Sequence, residues 1–258
     1  MTAVAASQTA MAAVIANSTA LNAVVSSSTA MAAVAASSTA MTAVAASSTA
    51  MAAVAASPTA MAAIWQSSTA VQAVQDNATA WSTFTGASSS VMGKTVAILA
   101  GLDPNSYADM TAVAASQTAM AAVAASSTAM TAVASSATAV SAMAASSAAK
   151  SALQASPLKK EYSWGGNNWT ANTLTAVSGS GLLLKIQITN NVGGWSLPTK
   201  TSHKVLLDGA AFMATNGYST SDIYQKSTSA VIDESVRRYK SSINVYLYNA
   251  TKITYIPC

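Results

Sequence analysis

The chain has 258 residues, of which 8% are charged and 6% aromatic, and a formal net charge of +4. A globular domain usually carries about a quarter charged residues, so a chain this poor in charge and aromatic rings does not build one large conventional core. Cys258 is the only cysteine, which excludes an intrachain disulfide and a thiolate metal cluster.

Residues 1–84 repeat with a period of ten. Units begin at Met1, Met11, Leu21, Met31, Met41, Met51, Met61, Val71 and Trp81, and each carries a second larger side chain three residues on, from Val4 to Phe84. The consensus, Met-Ala-Ala-Val-Ala-Ala-Ser-Ser-Thr-Ala, is built on the best helix former. A β-solenoid would alternate β-branched residues at period two with Gly or Asn at its corners, so helix is expected. Ser at position seven of the unit can accept from the free N–H groups of a first turn. Pro58 and Pro157 both follow such a serine, the arrangement of an N-cap and a first helical residue.

Two geometries fit: a long helix in a coiled coil, or short helices restarted at every Ser. The capping chemistry favours the second. In both, an isolated segment is too weak to stand alone, and its Met/Val stripe is expected to bury against other copies. Met31, Val34, Met41, Val44, Met51, Val54, Met120 and Val123 are the expected oligomer core, and a homotrimer the expected assembly.

Residues 85–109 break the period and read as a joint or lateral insertion. Gly86 to Thr95 approaches a phosphate-binding loop, but six residues separate the glycines where the motif needs four. Residues 110–158 resume the repeat at Met110, Met120, Met130, Val140 and Lys150. The mean hydropathy of +0.37 raises the question of a membrane span, yet Ser and Thr interrupt every stretch of the ~20 apolar residues one requires. Met1-Thr2-Ala3 lacks the basic start of a secretory signal.

Residues 159–258 change character. Eleven of the twelve Lys/Arg lie in residues 150–258, spread too thinly for a nucleic-acid footprint, so neither nucleic acid nor a cofactor is an expected partner. Strands are predicted at 173–177, 182–189, 204–207, 230–232, 243–248 and 252–256, separated by Gly/Asn turns, which suggests a β-sandwich or jelly roll. Asp233-Glu234 with Arg237-Arg238 reads as a salt-bridged surface helix turn, and His203 as a structural histidine. Trp164, Trp169, Trp195 and Tyr218, with Tyr224, are candidates for an aromatic surface that meets a sugar or a partner; burial at the sandwich edge is the competing explanation. No catalytic constellation is visible, so an enzyme is not expected.

The tandem Ser-Thr-Ala-Met-Ala-Ala-Val-Ala-Ala-Ser unit, as in Ser38 to Ser47, resembles the decapeptide arrays of tail-fibre, neck-fibre and whisker proteins of tailed bacteriophages. The segments Ser180 to Lys185, Lys204 to Gly209 and Tyr239 to Val245 look like a small β-domain of phage appendages. The resemblance implies an external virion component, commonly trimeric, that meets other virion proteins and the host surface, either a glycan or a receptor. An ice-binding or surface-adhesive repeat protein is the alternative, since Thr9, Thr19, Thr29 and Thr39 recur in register.

Overall fold

The computed structural model describes residues 1–164, 173–189, 204–214, 230–246 and 250–258. The chain separates into two compact units, Met1–Ala152 and Leu153–Cys258.

The first unit is a solenoid of short helices. Its first coil is α1 (Thr2–Ala5), α2 (Gln8–Ala16) and α3 (Ser18–Ser26), and its second is α4 (Ser28–Ala35), α5 (Ser38–Ala46) and α6 (Ser48–Ala55). The third is α7 (Pro58–Trp65), α8 (Ser68–Gln75) and α9 (Ala78–Thr85). Each of the helices α2 to α9 begins behind a cap residue in the extended conformation, and at some corners that same residue ends the helix before: Ser47, at φ −104° and ψ 114°, ends α5 and begins α6. Its hydroxyl accepts from the Ala50 amide at 3.2 Å, satisfying one of the donors that a helix start leaves free. Pro58 sits at the first position of α7 behind cap Ser57, where the missing N–H costs nothing. Pro157 does not begin a helix. It stands in a turn, with the Leu158 amide donating to Ser156 Oγ, before the chain enters a strand.

α2 and α3 meet at a corner of 105° and α4 and α5 at one of 100°, so three such corners bring the chain most of the way round and place a helix on the one three places earlier. Thus α4 packs on α1 and under α7, α5 on α2 and under α8, and α6 on α3 and under α9. The coils are also tied by hydrogen bonds. Ser37 Oγ donates to the Ala5 carbonyl, Ser57 Oγ to Val25 and Ser67 Oγ to Ala35, at 2.6–2.7 Å and always 32 residues back. The cap hydroxyl therefore accepts from its own helix and donates to the coil below.

This geometry corrects the expected oligomer core. Met31, Val34, Met41, Val44, Met51, Val54, Met120 and Val123 are all buried within the single chain. The Met/Val stripe is only half of the buried face: Ala40 and Ala45 flank Met41 and Val44 and are buried with them. Four apolar positions per unit, two of them small, let neighbouring helices approach closely, and the chain covers its own stripe without another copy. Each buried Met or Val contributes about 1.5–3 kcal/mol.

The expected joint at 85–109 is a continuation of the stack. α10 (Ser89–Leu99) packs against α7 and against α11 (Met110–Ala115). The three-residue 3-10 turn Pro104–Ser106, capped by Asp103, connects these two helices. Gly93 permits the crossing, since a Cβ there would lie 2.3–2.6 Å from the backbone of Asp109 and Met110. The repeat continues through α12 (Gln117–Ala125), α13 (Ser127–Ser135), α14 (Ala137–Ala145) and α15 (Ser147–Gln154). α13 packs on α10 and α14 on α11, and the coil-to-coil bond recurs from Ser126 Oγ to Leu99 and from Ser146 Oγ to Ala114.

The second unit contains two antiparallel sheets. One joins β1 (Lys160–Trp164), β9 (Ala250–Pro257), β3 (Gly181–Thr189) and β6 (Ala230–Asp233) in that order, with β7 (Arg237–Tyr239) also paired to β3. The other joins β2 (Thr173–Ser178), β8 (Ser242–Tyr246), β4 (Lys204–Leu207) and β5 (Ala210–Ala214). Residues from both sheets, including Val177, Leu183, Ile186, Val205, Tyr239, Ile243, Val245 and Ile253, form one buried cluster. β1, β5 and β7 were not expected. Arg237–Tyr239 is a strand rather than part of a helix turn, because its backbone pairs with residues 181–183, a long-range partner invisible to local charge spacing.

Candidate functional site

Three kinds of surface come from these elements. On the solenoid, the stacked helices α2, α5 and α8 form one side, where Thr9, Thr39 and Thr69 are exposed in column; α3, α6 and α9 carry Thr19, Thr49 and Thr79 likewise. Packed helices lie about 8–10 Å apart, which sets the spacing along each column. Grooves between α5 and α8 are lined by Ser38, Thr42, Thr69, Gln72, Asp76 and Asn77, about 450 Å³ in volume. Gln72 Nε2 donates to Asp76 Oδ1 at 2.7 Å along α8. Asp76 is the only Asp, Glu, Lys, Arg or His in residues 1–93, so these sides offer no cationic path for phosphates.

The second surface is aromatic. Trp65, Trp81 and Phe84 form a cluster with ring centroids 5.1–6.3 Å apart. Phe84 is fully buried and Trp65 nearly so, with its indole N–H lacking a partner. The cluster is largely buried, with Trp81 reaching the surface, and reads as packing.

The third lies on the β unit, where Asp208 and Gly209 turn β4 into β5, both at positive φ. The Asp208 carboxylate accepts from the amides of Lys240, Ser241 and Ser242 and from Ser241 Oγ. Burial alone would raise its pKa, but these donors outweigh it and hold the carboxyl below its ordinary value. Lys185 pairs with Glu234 at 3.1 Å and Lys252 with Glu161 at 2.7 Å; both are partly exposed and worth little. Burial pushes the Cys258 thiol up to about 12, leaving it protonated and a poor nucleophile near neutrality.

Of the aromatics singled out by the sequence, Trp164 ends β1 opposite Thr251, while Trp169, Trp195, Tyr218, Tyr224 and His203 lie outside the described residues. The glycine pair that approached a phosphate loop is separated by structure: Gly86 caps α9, and Gly93-Lys94-Thr95 lies within α10. Among the described residues, no group of three or more His, Cys, Asp or Glu could hold a metal ion, and no single helix is long and apolar enough to cross a membrane.

No family model and no curated protein matches the chain.

What the sequence reading missed is the cap serine's second bond. A signal existed in the chain's own repeats: position seven is Ser or Asn in each of the first eight units, whereas position eight varies among Ser, Gln, Pro and Ala. A residue needed only as a cap and a residue that also joins coils look alike until the coils are built.

Proposed function

We propose that this chain is a structural component of a tailed-bacteriophage appendage, a tail or neck fibre. In this reading the solenoid is a stiff spacer, and the two sheets of the C-terminal unit pack as a β-sandwich that forms its tip or a junction. The observation that carries it is the coil-to-coil bond recurring from one turn of ten-residue units to the next. It makes each turn an equivalent, self-supporting segment, as a spacer of adjustable length requires. The uncharged Ser/Thr/Ala exterior and the resemblance of the decapeptide array to phage fibres support the same reading. Host-surface contact through Trp164, Trp169, Trp195 and Tyr218 rests on sequence alone.

The length of the spacer follows from its geometry. As one continuous helix, residues 1–152 would reach ~230 Å; as about five stacked turns at 8–10 Å each they reach ~45 Å. Because the apolar stripe is covered within the chain, a trimer no longer follows from burial, and assembly with other virion proteins is the remaining role for partners. The reading is tested by mass spectrometry of purified particles from a phage that encodes this sequence, together with gold-labelled antibody against residues 159–258. Labelling at the tail or neck is expected, and absence of the chain from intact virions would sink the proposal.

The exposed threonine columns favour a second reading, an ice-binding or adhesive surface. They present one hydroxyl and one methyl group at a fixed spacing on a face almost free of charge. A freezing assay decides it: thermal hysteresis that disappears in Thr39→Lys would support this reading, and none in the native protein removes it.

A further inference from the structure

The stack changes where the repeat is interrupted. α10 takes the place above α7, but α11 packs against α10, α12 and α14 and does not make with α8 the contact that α8 makes with α5. Val71 on α8 is in consequence partly exposed, where Met41, Met51 and Met61 at the same position of the unit are at most 1% exposed. Between α8 and α13 a groove of about 350 Å³ remains, with Trp65, Val71, Gln72 and Gln75 on one wall and Ser127 and Thr131 on the other. Small-molecule sites usually measure about 300–1,000 Å³. The repeat departs from its consensus at the first wall: position five of the unit, Ala in α4, α5 and α6, is Trp65 in α7 and Gln75 in α8, and position two, Ala or Thr in those helices, is Gln72. Solvation of an uncovered helix accounts for the glutamines, and packing on Trp81 and Phe84 for the Trp65 ring. Neither accounts for the indole N–H of Trp65, which is buried without an acceptor although hydroxyls and amides line the same groove. A buried donor left unpaired is unfavourable.

We propose that this groove binds a neutral saccharide, with Gln72, Gln75 and Thr131 meeting its hydroxyls and Val71 and Trp65 its apolar C–H face. The lining selects the class. Amides and hydroxyls offer both donors and acceptors, which is what a rim of sugar hydroxyls needs. Gln72 Nε2 already donates to Asp76, which leaves the Gln72 carbonyl to accept, and Thr131 Oγ1 donates to the Ser127 carbonyl at 3.0 Å and keeps its lone pairs. No residue lining the groove is charged, so phosphate, carboxylate and ammonium groups find no partner there. A wholly apolar ligand would strip water from the two glutamines and give nothing back. The proposal is independent of the appendage reading and of the aromatic candidates on the β unit.

The test is saturation-transfer NMR on the full chain with glucose, galactose, mannose, N-acetylglucosamine and their disaccharides, followed by calorimetric titration of those that bind. Binding of at least one is expected, with a shift of the Trp65 indole N–H resonance, assigned by its loss in Trp65→Phe. Gln75→Ala restores the consensus residue and so keeps the helix; it should weaken binding about ten-fold, the loss of one good hydrogen bond. Ser127→Arg, from the opposite wall, should abolish binding, and Thr39→Ala, which lies outside the groove, should leave it unchanged. Far-UV dichroism of each variant should match that of the native chain. An affinity unchanged in Gln75→Ala overturns the proposal, as does no binding by any sugar of the set or equal loss in Thr39→Ala. Binding that survives Ser127→Arg but disappears in Trp169→Ala overturns it as well and assigns the sugar to the β unit.

Discussion

The smallest unit of organisation is the cap serine, because one hydroxyl serves as acceptor to its own helix and donor to another. Ser67 caps α8 through Ala70 and donates to the Ala35 carbonyl, whereas Ser27 caps α4 through Ala30 without donating to another coil among the described residues. Loss of a cap costs ~1 kcal/mol, and loss of a donor to a partly buried carbonyl adds about 1–2 kcal/mol. Ser67→Ala is therefore expected to destabilise about twice as much as Ser27→Ala, read as the shift in urea midpoint of the solenoid's helical signal. At Asp208 the corresponding argument concerns pH. Its folded pKa is depressed, so its contribution is present above the unfolded value of ~3.9 and is lost as pH falls through the folded value. Stability of the β unit should fall below about pH 4, and Asp208→Asn should flatten that fall. A denaturant midpoint that varies identically with pH in both proteins would refute the assignment.

At the scale of one helix, the Ser-Ser junction admits a specific substitution. Ser47 has nearly the same backbone as Ser57, φ −104° and ψ 114° against −111° and 110°, and Ser57 already precedes a proline. Ser48 is the first residue of α6 and exposed, so its N–H is one that the helix leaves free. Ser48→Pro should keep the fold and stabilise it by ~0.4–1 kcal/mol through the unfolded chain. The same change at Ala53, inside α6, should cost ~3 kcal/mol or more. Thermal melts of the two variants give opposite shifts if this account of the helix starts is right.

For the whole molecule the structural repeat is about thirty residues, three helices per turn, rather than ten. Removing residues 31–60 takes out one complete turn and returns each later helix to the same side of the stack. Such a deletion should leave a folded chain whose helical signal drops in proportion, with a modestly lower unfolding midpoint, as expected when stability is nearly a sum over neighbouring coils. Collapse to an unfolded chain would show instead that the coils are not interchangeable.

The ten-residue period, the helical state, the serine caps and the proline at a helix start were legible in the sequence, because each depends on residues within a few positions of one another. Among the described residues, the strands β2, β3, β4, β6 and β9 were legible for the same reason, through alternation between turn signals, as was most of β8. The sequence could not reveal what covers the Met/Val stripe. Each corner of about 100° is set by one extended residue, and only the accumulation of three corners brings residue 37 back over residue 5. That closure turned an expected oligomer core into the interior of a single chain. It also made α10 part of the stack instead of a joint and gave the cap serines their second bond. β7 depended on the same kind of long-range information, since a three-residue strand is defined by the partner strand beside it. Local chemistry determined the pieces, and the angle between them decided what they bury.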